Sequence, residues 1–187
     1  MKARESGMPE ERLWGSFFTP GKILKTLGLD NGIRDAVDFG CGYGTFTIPA
    51  ARLVKGKVYA LDIEQEMVKI TKEKALESNL KNVEAMLRDF IAEGSGLNDE
   101  SVDYAMLFNI LHAEKPEALL KEAYRILKPE RKLGIIHWNY DTATPRGPPM
   151  AIRPKPEQCI EWALNAGFKN PERQDLKPYH YGIVVEK

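Results

Sequence analysis

The segment Val37-Asp38-Phe39-Gly40-Cys41-Gly42-Tyr43-Gly44-Thr45 is the part of the chain best suited to hold a ligand. An apolar run leads past an acid into three spaced glycines, which let the backbone turn sharply and bring its N–H groups close to a bound molecule. A dinucleotide fingerprint of the form GxGxxG would need glycine at position 45, where this chain has Thr45. Cys41, inside the turn, reads as a small packing residue rather than a nucleophile. The chain has three histidines. His112, a group that titrates near neutrality, is the first candidate base, with a structural hydrogen-bonding role as the alternative. His137 is the second. Strand alternation puts His137, Asn139 and Asp141 on one side and Trp138 and Tyr140 on the other, so only part of this set can face a pocket. His180, within Tyr179-His180-Tyr181, reads as a sheet-surface pattern. Residues 141–155 contain four prolines and one glycine, and carry Arg146, Arg153 and Lys155. They are either a substrate lid suited to a polar or anionic acceptor or a proline-stiffened surface connection.

The elements that must position these groups alternate between strand and helix. Thr19 and Pro20 are good start signals, and Ile23, Leu24 and Leu27 form a stripe, which predicts a helix over 20–28. Residues 36–39 predict a buried strand, 45–54 a helix, 57–62 a second strand, and 64–78 a helix free of Gly and Pro. Alternation at Val83, Ala85 and Leu87 predicts a third strand, 92–100 a loop, and the near-continuous apolar run 102–111 a strand buried on both faces. Leu120, Ala123, Tyr124 and Leu127 then mark a helix that Pro129 ends, followed by a fifth strand over 133–138. After a last helix at 157–166, closed by Gly167, residues 168–176 and 179–186 predict two strands paired antiparallel. Such alternation specifies a mainly parallel sheet covered on both faces, with ligands beyond the carboxyl ends of its strands.

The acid-x-Gly-x-Gly-x-Gly pattern resembles motif I of the class I S-adenosylmethionine-dependent methyltransferases. The resemblance continues through Asp62, which lies 18 residues after Gly44, then Arg88-Asp89-Phe90, the run from Asp103 to His112, and LLKEAYRILKPERKLGIIHW from Leu119 to Trp138. It implies a three-layer, doubly wound, mainly parallel seven-stranded sheet with an antiparallel final strand. It also implies S-adenosyl-L-methionine as cofactor. By the same resemblance, Asp38, Phe39, Gly40, Cys41, Gly42, Tyr43 and Gly44 form the cofactor turn, and Asp62 accepts from the ribose hydroxyls with Ile63 beside the adenine. Asp89 and Phe90 then lie at the adenine, and Asn109 and Ile110 under the methionine end. A carboxylate can accept from two vicinal hydroxyls at once, although Asp62 also suits a helix N-cap.

The composition bounds the remainder. A chain of 187 residues with 43% hydrophobic content and equal numbers of acids and bases is expected to fold as one domain over 1–187, with residues 1–30 as an N-terminal cap or helix. Trp14, Phe17 and Phe18 either cap the cofactor pocket or pack on the sheet. Two cysteines and a charged N-terminus point to a cytoplasmic protein without signal peptide, membrane span or metal site. Neutral charge opposes a nucleic-acid partner, while a homo-oligomer is compatible with the sequence. The expected function is in-line methyl transfer to a small-molecule acceptor. The alternatives are a cofactor-binding scaffold or sensor and a protein or RNA methyltransferase working with a partner. An arsenic methyltransferase would need cysteines that this chain lacks, and a nicotinamide oxidoreductase does not fit Thr45.

Overall fold

The runs 36–39 and 102–108 offer water no polar face, and both lie in the middle of a single sheet, buried at every position. The computed structural model describes residues 9–187, so the first eight residues of the expected N-terminal cap lie outside it. Helices α1 (Glu11–Ser16) and α2 (Pro20–Thr26) precede β1 (Ala36–Phe39), α3 (Thr47–Leu53), β2 (Val58–Asp62) and α4 (Gln65–Glu77). Next come β3 (Val83–Leu87), β4 (Val102–Phe108), α5 (Pro116–Ile126), β5 (Leu127–Trp138), α6 (Pro156–Asn165), β6 (Lys169–Leu176) and β7 (His180–Glu186).

The strand order is β3-β2-β1-β4-β5-β7-β6. β1 pairs in parallel with both β2 and β4, and β7 runs antiparallel to both β5 and β6, so the final strand is the reversed one. On one face α5 and α6 cover Val37, Phe39, Leu107, Ile135 and Ile183. On the other, the segments of α1, α2 and α3 cover Ala36, Tyr104, Met106 and Trp138, and α4 places Val68 against Ala60 and Ala85. This is the expected three-layer α/β/α arrangement. The stripe of α5 buries Leu119, Leu120, Ala123 and Ile126, and each large apolar side chain contributes roughly 1.5–3 kcal/mol when fully buried.

Four local differences from the sequence reading have physical reasons. β4 ends at Phe108 rather than at 111, because Asn109 takes a left-handed φ of 56° and turns the chain out of the sheet. β5 begins at Leu127, ahead of the expected 133. It pairs with Val102 there, leaves the ladder around Pro129 and Glu130 (φ 62°), and rejoins at Lys132. Helix α3 starts at Thr47 instead of 45, because Gly44 still has a positive φ. Helix α1 is anchored by Trp14, buried with its ring 6.3 Å from Trp138 of β5, a tertiary contact that local periodicity does not encode. Among the described residues, no helix is long and apolar enough to cross a membrane.

The fully buried Tyr104 hydroxyl donates to the Leu27 carbonyl at 2.7 Å and pins the end of α2 to β4. Tyr104→Phe leaves that carbonyl without its partner and is expected to lower the unfolding free energy by about 1–3 kcal/mol. Urea melts should show a lower midpoint at unchanged slope; an unchanged midpoint would mean that the hydroxyl does not hold α2.

Candidate functional site

The chain runs outward from β1 through β2 to β3 and then returns to β4 on the other side of β1. The connections after β1 and β4 therefore diverge, opening a crevice at the carboxyl ends of these strands. A cleft of about 1030 Å³, including its part open to solvent, lies there.

Its floor is the glycine turn. Gly40, Gly42 and Gly44 have φ values of 74°, 52° and 73°. A Cβ on Gly40 would come within 2.8 Å of Ile110 Cδ1, so a side chain at position 40 would close the space between the two loops. The turn is tied down from three sides. The Gly42 N–H donates to Asp62 Oδ2 at 2.8 Å, the Thr71 hydroxyl donates to the Gly42 carbonyl at 3.0 Å, and the Thr47 hydroxyl donates to Asp38 Oδ2 at 2.6 Å. Asp62 Oδ1 accepts from the Glu64 N–H at 3.0 Å, a local turn ahead of α4, whose N-cap is Glu64 and not Asp62. Burial pushes the Asp38 carboxyl up to about 7, against the Thr47 hydrogen bond and with the Asp62 charge adding to the rise. Burial raises Asp62 as well, opposed by its two N–H donors. Burial also raises the Cys41 thiol, followed by the charges of Asp38 and Asp62, consistent with a packing residue and not a nucleophile.

Asp38, Gly40, Cys41, Gly42, Asp62, Ile63, Asp89, Phe90, Asn109 and Ile110 all line the cleft, as does His112. Phe39, Tyr43 and Gly44 do not. Phe39 points into the core against Phe90 at 5.5 Å. Tyr43 donates to the Pro9 carbonyl at 3.3 Å, and its own carbonyl accepts from Lys74 Nζ at 2.7 Å. Gly44 faces Thr71 and Ile48. His137 stands behind the wall, with its Nε2 3.3 Å from His112 Nδ1. His180 is not on the sheet surface. It is 1% exposed, packed 4.2 Å from Trp138 and 4.5 Å from Phe18, and burial pushes its pKa down to about 3. The α1 and α2 segments cover that face of the sheet, and the sequence pattern alone does not place them there.

No residue of 141–155 lines this cleft. Arg153 is buried, and its guanidinium donates to the carbonyls of Pro148, Asn139, Asp141 and Arg146, which folds the segment around its own charge. The residues that sequence reasoning missed are the polar Thr45 and Glu64 and, with them, Phe46, Met67, Ile91 and Phe108, apolar groups indistinguishable from core in the sequence. Trp14 also lines the cleft, so the alternative in which the N-terminal aromatics cap it applies to that residue. Lys74 pairs with Glu11 and so holds α1 over the glycine turn. Asn109 contributes a side-chain amide whose nitrogen and oxygen are both buried without a hydrogen-bond partner among the described residues. Such an orphaned amide in a cleft is an invitation to a ligand that presents a donor and an acceptor together.

The sequence profile of a family described as a methyltransferase domain matches residues 36–130. The chain is 34% identical over 141 residues to a demethylmenaquinone methyltransferase of Lactobacillus johnsonii, covering 67% of this chain and 56% of that one. It is 30% identical over 126 residues to a demethylmenaquinone methyltransferase of a Geobacillus species, covering 64% and 51%. It thus spans about half the length of these curated relatives. Among solved structures, a SAM dependent methyltransferase from Aquifex aeolicus is 30% identical, with 95% of this chain and 93% of that one covered at a TM-score of 0.82. The 4+2 cyclase SpnF has the same fold at 19% identity and a TM-score of 0.75, covering 99% and 87%.

The raised Asp38 pKa fixes a sign. The folded state binds this proton more tightly than the unfolded chain, so the group costs stability as pH rises from about 4, its unfolded value, to about 7. Asp62 acts in the same direction. Asp38→Asn is expected to flatten the fall in melting temperature across that window; an equally steep fall in the variant would show that Asp38 is not the titrating group.

Proposed function

We propose, from the premise that this chain belongs to the class I S-adenosylmethionine-dependent methyltransferases, that its cleft binds S-adenosylmethionine and that the protein transfers the methyl group to a small acceptor. The observation that carries this reading is the pairing of the glycine turn with Asp62 beside the switch point of the sheet. An ionised carboxylate has about four lone-pair sites. Gly42 and Glu64 use two of them, and the remaining two suit a pair of vicinal hydroxyls. Asp89, Phe90 and Ile63 would receive the base, while the Asn109 amide would meet the ammonium and carboxylate of the amino-acid end, one donor and one acceptor. The missing Cβ of Gly40 keeps the space between the two loops open.

When bound, the cofactor supplies a methyl group already activated on a sulfonium. What remains for the protein is to align a nucleophile, exclude water and manage one proton. Trp14, Phe46 and Phe108 line the cleft with aromatic surface, Phe46 and Phe108 meeting edge to face at 4.8 Å. That wall favours a planar, largely apolar acceptor, and the relatives named demethylmenaquinone methyltransferases support a ring of that kind. His112 would take the acceptor's proton, a role for which an imidazole is suited near neutral pH.

The first test is calorimetric titration with S-adenosylmethionine, S-adenosylhomocysteine and NAD. Micromolar binding of the two adenosyl ligands and none of NAD is expected. Asp62→Ala should weaken the adenosyl ligands by about 10- to 100-fold, the range for losing charged hydrogen bonds. Absence of adenosyl binding to the folded wild-type protein would refute the reading.

A further inference from the structure

His112 and His137 are 25 residues apart, yet the fold brings Nδ1 of the first to 3.3 Å from Nε2 of the second. His137 is fully buried on β5 and stands opposite Tyr181 in the β5–β7 register, with the two rings stacked 6.3 Å apart at 27°. The Tyr181 hydroxyl donates to the Pro154 carbonyl at 3.0 Å and lies 3.4 Å from Cys159 Sγ. The other nitrogen of His137, Nδ1, has no hydrogen-bond partner among the described residues.

We propose that His137 is a positioning residue that accepts the Nδ1–H of His112 at its own Nε2, holding His112 in the tautomer whose Nε2 is the base. The proposal rests on the reading of His112 as base given above. The proton balance fixes the direction of the bond. When the acceptor's O–H or N–H bond breaks, its proton goes to His112 Nε2 and its electron pair to the methyl carbon, while the S–CH3 bond breaks with its pair left on sulfur, now a neutral thioether. His112 then carries N–H on both nitrogens, so the 3.3 Å contact survives only if His137 Nε2 accepts. With the opposite polarity, His112 would present an N–H to the cleft and could take no proton there.

His137 suits this task because it stays uncharged. Burial lowers its pKa well below the usual value, and His112, His180 and Arg153 press in the same direction. From β7, the Tyr181 ring stacks on His137. A neutral acceptor stabilises the imidazolium of His112 without adding a charge to the core, which is the part a carboxylate plays in the serine protease triad.

Ring-nitrogen NMR of the S-adenosylhomocysteine complex tests this without knowledge of the acceptor, with His112→Ala serving to assign the signals. Neutral His112 should be the Nδ1–H tautomer. Its apparent pKa should drop by about one unit in His137→Leu, the size expected for losing one hydrogen bond to the charged form. His137→Gln places an amide oxygen near the Nε2 position and should restore it. An Nε2–H tautomer in the wild-type protein, or an unchanged His112 titration in folded His137→Leu, would overturn the proposal. Should the leucine variant fail to fold, the wild-type tautomer and the glutamine variant still decide it. A separate outcome distinguishes the underlying reading. If the rings behave as expected but His112→Ala transfers methyl groups as fast as wild type, the base assignment fails, and the role of His137 fails with it.

Discussion

One hydrogen bond, from the Gly42 N–H to Asp62 Oδ2, holds together the part of the molecule on which the site depends. β1 and β2 are neighbours in the sheet, and the N–H groups of Gly40 and Cys41 both donate to the Leu61 carbonyl, at 2.8 and 3.0 Å, where the turn begins. The carboxylate at the end of β2 fixes the turn that follows β1, and through the Glu64 N–H it also fixes the start of α4. Thr71 of that helix then reaches back to the Gly42 carbonyl. The circuit closes on itself, so the turn is preorganised and need not be ordered by its ligand, which spares the entropy of fixing a loop on binding.

That preorganisation concentrates costly features at one end of the sheet. Asp38 and Asp62 are two buried carboxylates, each raised in pKa, and Asn109 combines a left-handed backbone with an amide unpaired among the described residues. Each destabilises the fold relative to an apolar or relaxed alternative. The rest of the molecule carries the load. β4 is buried along its whole length, and α5 and α6 seal one face while the α1–α3 segments seal the other. Strain and unsatisfied polarity gathered at a cleft, with an orthodox core beneath, is the distribution expected of a protein that spends stability on a site.

What could be read in the sequence follows from how local each signal is. The glycine turn and Asp62 were legible because a sharp turn and an acid at a strand end need only their own neighbourhood. The order of strands and helices was enough to specify a mainly parallel sheet and so to direct attention to the correct end of it. Phe46, Met67 and Phe108 were not legible as cleft residues, and Trp14 only as one of two alternatives, since a buried apolar side chain and a cleft-lining one look alike until the partner surface is known. His180 was misread because alternation within Tyr179-His180-Tyr181 gives no information on what covers either face. The adjacency of His112 and His137 depends on the parallel register of β4 and β5, which no spacing in the chain encodes.

The same architecture carries a cyclase at 19% identity, so the fold does not by itself determine a reaction. The determining parts must lie in the side chains that the fold presents at the cleft. Trp14 comes from α1, held over the turn by Glu11 and Lys74, and His112 comes from the loop after β4, backed by His137 on β5. On the proposed reading the first would supply a flat apolar wall and the second a nitrogen whose proton is governed from inside the sheet. An acceptor would then have to satisfy both at once, a planar face for the aromatic wall and a removable proton at the edge nearest His112. This joint requirement, more than the volume of the cleft, is what would separate substrates from other molecules that merely fit.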